Sequence, residues 1–124
     1  MNKCIMIVDD SATIRASVAI VLKELGLPVE EAANGEDALK KMQDIKNADR
    51  DIALCITDVN MPVMDGITFV KEFRKSDKFT PILMLTTESG KNMIDEGKQA
   101  GASGWIIKPF KTEQFLSAVR KLVK

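Results

Sequence analysis

Five short apolar runs, set among segments with helical periodicity, constrain the fold more than any other feature of this sequence. They cover residues 4–8, 29–33, 52–56, 82–85 and 105–107. Four are continuous and bounded by polar or turn residues, the pattern of strands buried on both faces of a parallel sheet. The second follows Pro28 and contains Glu30 and Glu31, which suits an edge strand.

Helical patterns fill the gaps. After Ser11, the residues Ile14, Val18, Leu22 and Leu25 keep one face apolar, and Gly26 stops the helix. Ala38, Leu39, Met42 and Ile45 repeat this after Asn34-Gly35, and residues 45–51 read as a polar loop. Asp65 can cap a helix carrying Ile67, Val70 and Phe73. The segment after Gly90 is a weak helix whose Gly97 costs it about 1 kcal/mol against alanine. Phe115, Leu116, Val119 and Leu122 mark a last helix running to the C-terminus. Strand and helix thus alternate five times, which predicts a five-stranded parallel sheet with helices on both faces. By size, residues 1–124 are expected to form a single domain, and no output domain is expected after the last helix.

Composition narrows the partners. Lysine plus arginine and aspartate plus glutamate number 18 each, so no net field draws the chain to nucleic acid or a membrane. No apolar run approaches the roughly 20 residues a spanning helix needs, and the N-terminal run is too short for a signal sequence. A cytoplasmic protein is expected. Cys4 and Cys55 lie inside apolar runs and read as core residues. Histidine is absent, which removes the commonest general base and zinc ligand.

The strand ends carry the chemistry. The first run ends in Asp9-Asp10, the third in Asp58, the fourth in Thr86-Thr87 and the fifth in Lys108-Pro109. Any one of these alone would be a turn or cap residue. In a parallel sheet, however, all these ends share one edge, so three carboxylates meet a hydroxyl and an ammonium. Like charges about 5 Å apart repel by roughly 3 kcal/mol per pair at an effective dielectric of 20. Such a cluster calls for a cation, a bound proton, or both, and oxygen donors without imidazole or thiolate favour a hard ion such as magnesium. A metal beside a carboxylate suggests phosphoryl chemistry, with Asp58 as nucleophile, Lys108 as charge clamp and Thr86 as hydrogen-bond donor.

Four stretches bring the chain close to a known family. They are V-D-D-S at 8–11, I-T-D-V-N-M-P-V-M-D-G at 56–66, M-L-T-T-E at 84–88 and G-A-S-G-W-I-I-K-P-F at 101–110. In this order and spacing the sequence resembles the receiver domain of two-component response regulators, in its stand-alone, CheY-like form. The resemblance spans essentially the whole chain. It implies a flavodoxin-like doubly wound α/β fold with strand order 2-1-3-4-5 and five helices. It implies that Asp58 accepts a phosphoryl group from the phosphohistidine of a sensor histidine kinase of the CheA-like type.

By the same resemblance, Mg²⁺ is bound by Asp10, Asp58 and the main-chain carbonyl of Asn60, with Asp9 acting through water. Lys108 would pair with the acyl phosphate, Thr86 would be the switch hydroxyl, and Trp105 the switch aromatic. Asn60, Thr87 and Glu88 stand at positions that tune phosphoryl lifetime, and Thr87 replaces an alanine common in relatives. The implied product is a monomeric signalling switch that catalyses only its own phosphorylation and dephosphorylation. Its output is a binding partner such as a flagellar motor switch protein, and a phosphatase resets it. A phosphorelay shuttle or another stand-alone receiver is the neighbouring reading. An aspartate-nucleophile phosphatase would want an acid where Asn60 stands, and a flavodoxin-like electron carrier would not place Asp9-Asp10 beside a flavin phosphate.

Overall fold

A computed structural model describes residues 2–123. Its strands are β1 (Lys3–Val8), β2 (Val29–Ala32), β3 (Asp51–Thr57), β4 (Ile82–Thr86) and β5 (Gly104–Ile107). All pair in parallel, in the order β2-β1-β3-β4-β5. The helices are α1 (Ala12–Leu22), α2 (Gly35–Asn47), α3 (Gly66–Ser76), α4 (Lys91–Ala100) and α5 (Thr112–Leu122). This is the expected flavodoxin-like sheet, with the weak second strand on an edge.

Strand order decides where the helices go. The crossover from β1 to β2 runs one way across the sheet and the later crossovers run the other way. Right-handed connections must then lie on opposite faces. Accordingly α1 packs with α5 over Ile5, Ile7, Leu54 and Ile56, while α2, α3 and α4 cover Cys4, Met6, Val8 and Cys55. The alternation within β1 is the period of two that a pleated strand imposes. Phe69 and Phe73 meet edge to face at 5.8 Å in the larger core, each contributing roughly 1.5–3 kcal/mol by burial. Cys4 and Cys55 are buried thiols whose pKa burial pushes up, consistent with a packing role. Among the described residues no helix is long and apolar enough to cross a membrane.

Two boundaries differ from the sequence reading. Residues 45–51 are not all loop: α2 continues to Asn47 and β3 begins at Asp51. Ile45 completes the buried stripe of Ala38 and Met42, so the helix keeps winding until that contact is made. The first helix ends in a tight 3-10 turn, Lys23–Leu25, closed by Gly26 at φ 69°.

Between α3 and β4 a polar corner holds the chain. The Asp77 carboxylate accepts hydrogen bonds from Phe79 N (3.0 Å), Thr80 N (2.9 Å) and Thr80 Oγ1 (2.6 Å). Arg74 donates to Asp77 O at 3.1 Å and twice to Gly101 O, at 3.1 and 2.9 Å, so α3 is tied to the end of α4. Burial pushes the Asp77 carboxyl up, but the Thr80 and Phe79 hydrogen bonds and Lys46 outweigh it. The pKa is held below its ordinary value of 3.8.

The loop from β3 to α3 contains a second unusual turn. Met64 N donates to Pro62 O at 2.7 Å, closing a three-residue turn on Val63 at φ 71°. A β-branched residue in this region is strained by roughly 1–3 kcal/mol. The loop then enters α3 through Asp65, which caps Thr68 N at 2.9 Å as expected.

Gly66 and Asp77 generate two predictions. A Cβ on Gly66 would lie 2.0 Å from Asp58 O and 2.8 Å from Val59 Cα, both backbone atoms that cannot step aside. Gly66→Ala should lose about 3 kcal/mol or more in urea unfolding. Gly90→Ala, with open space around it, should stay within about 1 kcal/mol of the parent, since lost unfolded-state entropy and a poorer helix cap oppose each other. For Asp77, a depressed carboxyl gives stability that is whole above 3.8 and lost as pH falls through its lower folded value. Asp77→Asn should therefore be less stable than the parent at neutral pH, with the gap closing in acid. A gap independent of pH would contradict this assignment.

Candidate functional site

The reversal of strand order between β1 and β3 opens a crevice at their carboxyl ends, where sheets of this kind hold ligands. Asp9 and Asp10 follow β1, and Asp58 follows β3. Asp9 is anchored on every side. Its N–H reaches Ala32 O (3.1 Å), its Oδ1 accepts from Ser11 N (2.9 Å), and its carbonyl accepts from Arg15 Nη1 (2.6 Å). Ser11 in turn caps α1 by accepting from Ile14 N. Asp58 N donates to Val8 O at 3.0 Å, and Asp58 Oδ1 accepts from Val59 N (2.6 Å) and Asn60 N (3.3 Å).

Lys108 closes the group from β5. Its backbone N–H is held by Thr86 O (2.7 Å), and the next peptide bond, to Pro109, is cis. The ammonium bridges Asp9 Oδ2 at 3.0 Å and Asp58 Oδ2 at 3.1 Å. These three side chains are 14%, 6% and 12% exposed, so solvent screens the pairs weakly. Burial works against the charged lysine, yet the hydrogen bonds and charges of Asp9 and Asp58 prevail and hold its pKa above the ordinary 10.5.

One oxygen from each of Asp9, Asp10 and Asp58 lies within 4.8 Å of the others. Three carboxylates against one ammonium leave a formal −3 + 1 = −2, the charge that one divalent cation cancels. The donors are all oxygen, and a small hard cation that keeps several waters fits them. Asp58 accepts three hydrogen bonds, from Val59, Asn60 and Lys108. A carboxylate has about four lone-pair sites, so one remains for a metal or an electrophile.

Not every expected residue joins this cluster. Asp9, given the water-mediated role, is the buried acid bonded to Lys108, whereas Asp10 is exposed. Thr86 is fully buried, and its hydroxyl accepts from Glu88 N at 3.3 Å rather than meeting Asp58. Thr87 is exposed on the same loop. Glu88 is a hub. Its carboxylate accepts from Asn60 Nδ2 (2.7 Å) and its carbonyl from Trp105 Nε1 (2.9 Å). The Thr86 hydroxyl, the Trp105 indole and the β3–α3 loop are thereby joined through one residue. Trp105 also lies on Gly97 of α4, where a Cβ would come 2.6 Å from its Cζ3. The glycine that weakens α4 is the seat of the indole.

Sequence reasoning missed Arg15 and the packing role of Gly66, because each acts through contacts that no local pattern encodes. A separate cleft of about 410 Å³ opens among Lys3, Arg50, Asp51, Thr80 and Pro81, at the opposite edge of the sheet. It contains none of the expected site residues.

Comparison with known proteins gives a consistent result. A family model described as the response regulator receiver domain matches residues 5–120. The chain is 38% identical over 122 residues to the chemotaxis protein CheY1 of Helicobacter pylori, covering 96% of this chain and 94% of that one. The sensor histidine kinase CheAY of the same species matches 97% of the chain at 34% identity, through 15% of its own length. The structure of the chemotaxis protein CheY4 of Vibrio cholerae superposes with a TM-score of 0.87 at 45% identity, covering 99% of each chain.

The Trp105–Gly97 contact can be tested directly, because Trp105 is the only tryptophan. Gly97→Ala gains about 1 kcal/mol of helix propensity but forces the indole out of its seat, which costs roughly 1–3 kcal/mol. A shifted fluorescence maximum and a weakened near-ultraviolet dichroism are expected. Unchanged tryptophan spectra would show that the contact does not hold the ring.

Proposed function

The chain belongs to the response regulator receiver family, and from that premise we propose that it is a phosphorylation-activated switch with Asp58 as phosphoacceptor. The observation that carries this reading is the Lys108 bridge between Asp58 and Asp9 inside a triad of acids. An Asp58 oxygen attacks the phosphorus of a phosphohistidine, the P–N bond breaks, and the imidazole leaves with the electron pair. The product is an acyl phosphate on Asp58. Mg²⁺, held by Asp10, Asp58 and the Asn60 carbonyl with Asp9 behind a water, would offset charge on the acid and the incoming phosphoryl group. Lys108 is already charged and placed to pair with the added oxygens, which makes it a preorganised clamp.

Phosphorylation replaces one carboxylate by a group of about −2 charge with three strong acceptor oxygens. Thr86 is drawn toward it, which pulls the hydroxyl from Glu88 N, whose bond to it is already long at 3.3 Å. That loosens Glu88, and with it the bonds to Asn60 and Trp105. The α4, β5 and α5 surface is the reporting element, since Trp105 and α4 are interlocked. A packed arrangement of this kind changes by switching rather than by smooth bending.

The protein acts by binding in the cytoplasm, as a monomer, and not by turnover of an external substrate. A CheA-like histidine kinase supplies the phosphoryl group, in line with the chemotaxis names carried by its relatives. A flagellar motor switch protein receives the signal and a phosphatase ends it, with Asn60, Thr87 and Glu88 setting the lifetime. Intact-mass analysis after acetyl phosphate and magnesium tests the core of this reading. The parent should gain one phosphoryl group, and Asp58→Asn or chelation of the metal should reduce labelling at least about a hundredfold, the scale of losing a nucleophile or its charge clamp. Equal labelling of Asp58→Asn would refute it.

A further inference from the structure

We propose that Val63 is the apolar contact by which this chain grips the protein that donates its phosphoryl group; this rests on the reading of Asp58 as phosphoacceptor. Val63 occupies the left-handed region at φ 71° and is 74% exposed. Its side chain therefore gains little from the rest of the chain while holding a backbone conformation that asparagine or glycine would adopt without strain. Met61 and Met64, on either side, turn inward and pack against the core. The turn between them, closed by Met64 N and Pro62 O, presents Val63 outward. A strained residue that packs on nothing of its own invites a role in contact with something else.

Position selects the partner. Val63 lies five residues past Asp58, in the loop that also carries Asn60 and leads into Asp65. The Asp58 side chain is only 12% exposed, so a donor must reach into the crevice past the loops around it, this loop among them. The surrounding rim is polar, with Asp10, Asn60, Asp65 and Thr87 exposed. Charged rims steer and orient an encounter, whereas tight docking needs a desolvated apolar anchor. A small donor such as acetyl phosphate buries no such anchor. Of the other large exposed apolar side chains, Phe79 lies in the corner beside the distant cleft, Ile20 is on α1, and Ile107, at the end of β5, is less exposed than Val63, at 44%.

The test compares two donors on two variants. Val63→Asn removes the apolar contact and suits the backbone; Val63→Ile keeps the contact in the same turn. With acetyl phosphate, both should label like the parent. With the phosphorylated phosphotransfer domain of a CheA-type kinase as donor, Val63→Asn should transfer about tenfold more slowly, the effect of losing one apolar anchor. Val63→Ile should stay near the parent rate, and Val63→Asn should melt at a higher temperature. Parental transfer by Val63→Asn, or equal slowing with both donors, would overturn the proposal. Failure of the parent to label at Asp58 with acetyl phosphate would instead bring down the reading beneath it.

Discussion

One ammonium holds the functional edge together. Lys108 touches the acids of two different strands, at 3.0 and 3.1 Å, from a third. Without it, three carboxylates within 4.8 Å of one another would repel by several kcal/mol even at an effective dielectric of about 20. With it, the edge keeps a residual negative charge small enough to fold and large enough to attract a cation. The backbone enforces the arrangement: Asp58 N is tied to β1, Asp9 N to β2 and Lys108 N to β4. The backbone at Asp9 and at Asp58 cannot move outward without breaking a bond that also ties neighbouring strands.

The sheet order explains why the acids gather at this edge and not at the other. Between β1 and β3 the crossovers diverge to opposite faces, leaving the carboxyl ends of those two strands uncovered by helix. The cleft at the opposite edge is lined by the paired Lys46 and Asp77 and by Arg50, which is itself paired with Glu30. Its charges are already matched within the chain, whereas the converging strand ends keep an excess of acids.

Much of this was legible in the sequence because apolar continuity and the residues ending each run are local signals. Parallel strands share an edge, so Asp9, Asp10, Asp58 and Lys108 could be brought together before any coordinate was known. Which of two adjacent acids faces inward could not, since that depends on how Asp9 is held by Ala32, Ser11 and Arg15. The hydroxyl of Thr86 was expected among the acids and instead meets Glu88 N, a contact set by the loop and not by the strand. The end of α2 was misplaced because Lys46 and Asn47 look like loop residues, although Ile45 still had a core contact to make. Gly66 reads as a turn glycine, while its greater demand, room for the Asp58 carbonyl, exists only in three dimensions.

The bonds from Arg74 to Gly101 O have a consequence for motion. They fasten the last turn of α4 to α3, and Gly101 at φ 122° packs so closely on the arginine that a Cβ there would lie 2.8 Å from its Cγ. The first turn of α4 has no such hydrogen-bonded mooring: Gly90 offers no side-chain cap, Lys91 and Asn92 are exposed, and its hold on the core is the packing of Met93. A rod fixed at its far end behaves as a lever: it swings about that fulcrum and cannot slide along its axis. Displacement is then greatest beside Glu88 and smallest at Gly101, so a small loss of contact near the acids is magnified along the outer rim of the helix.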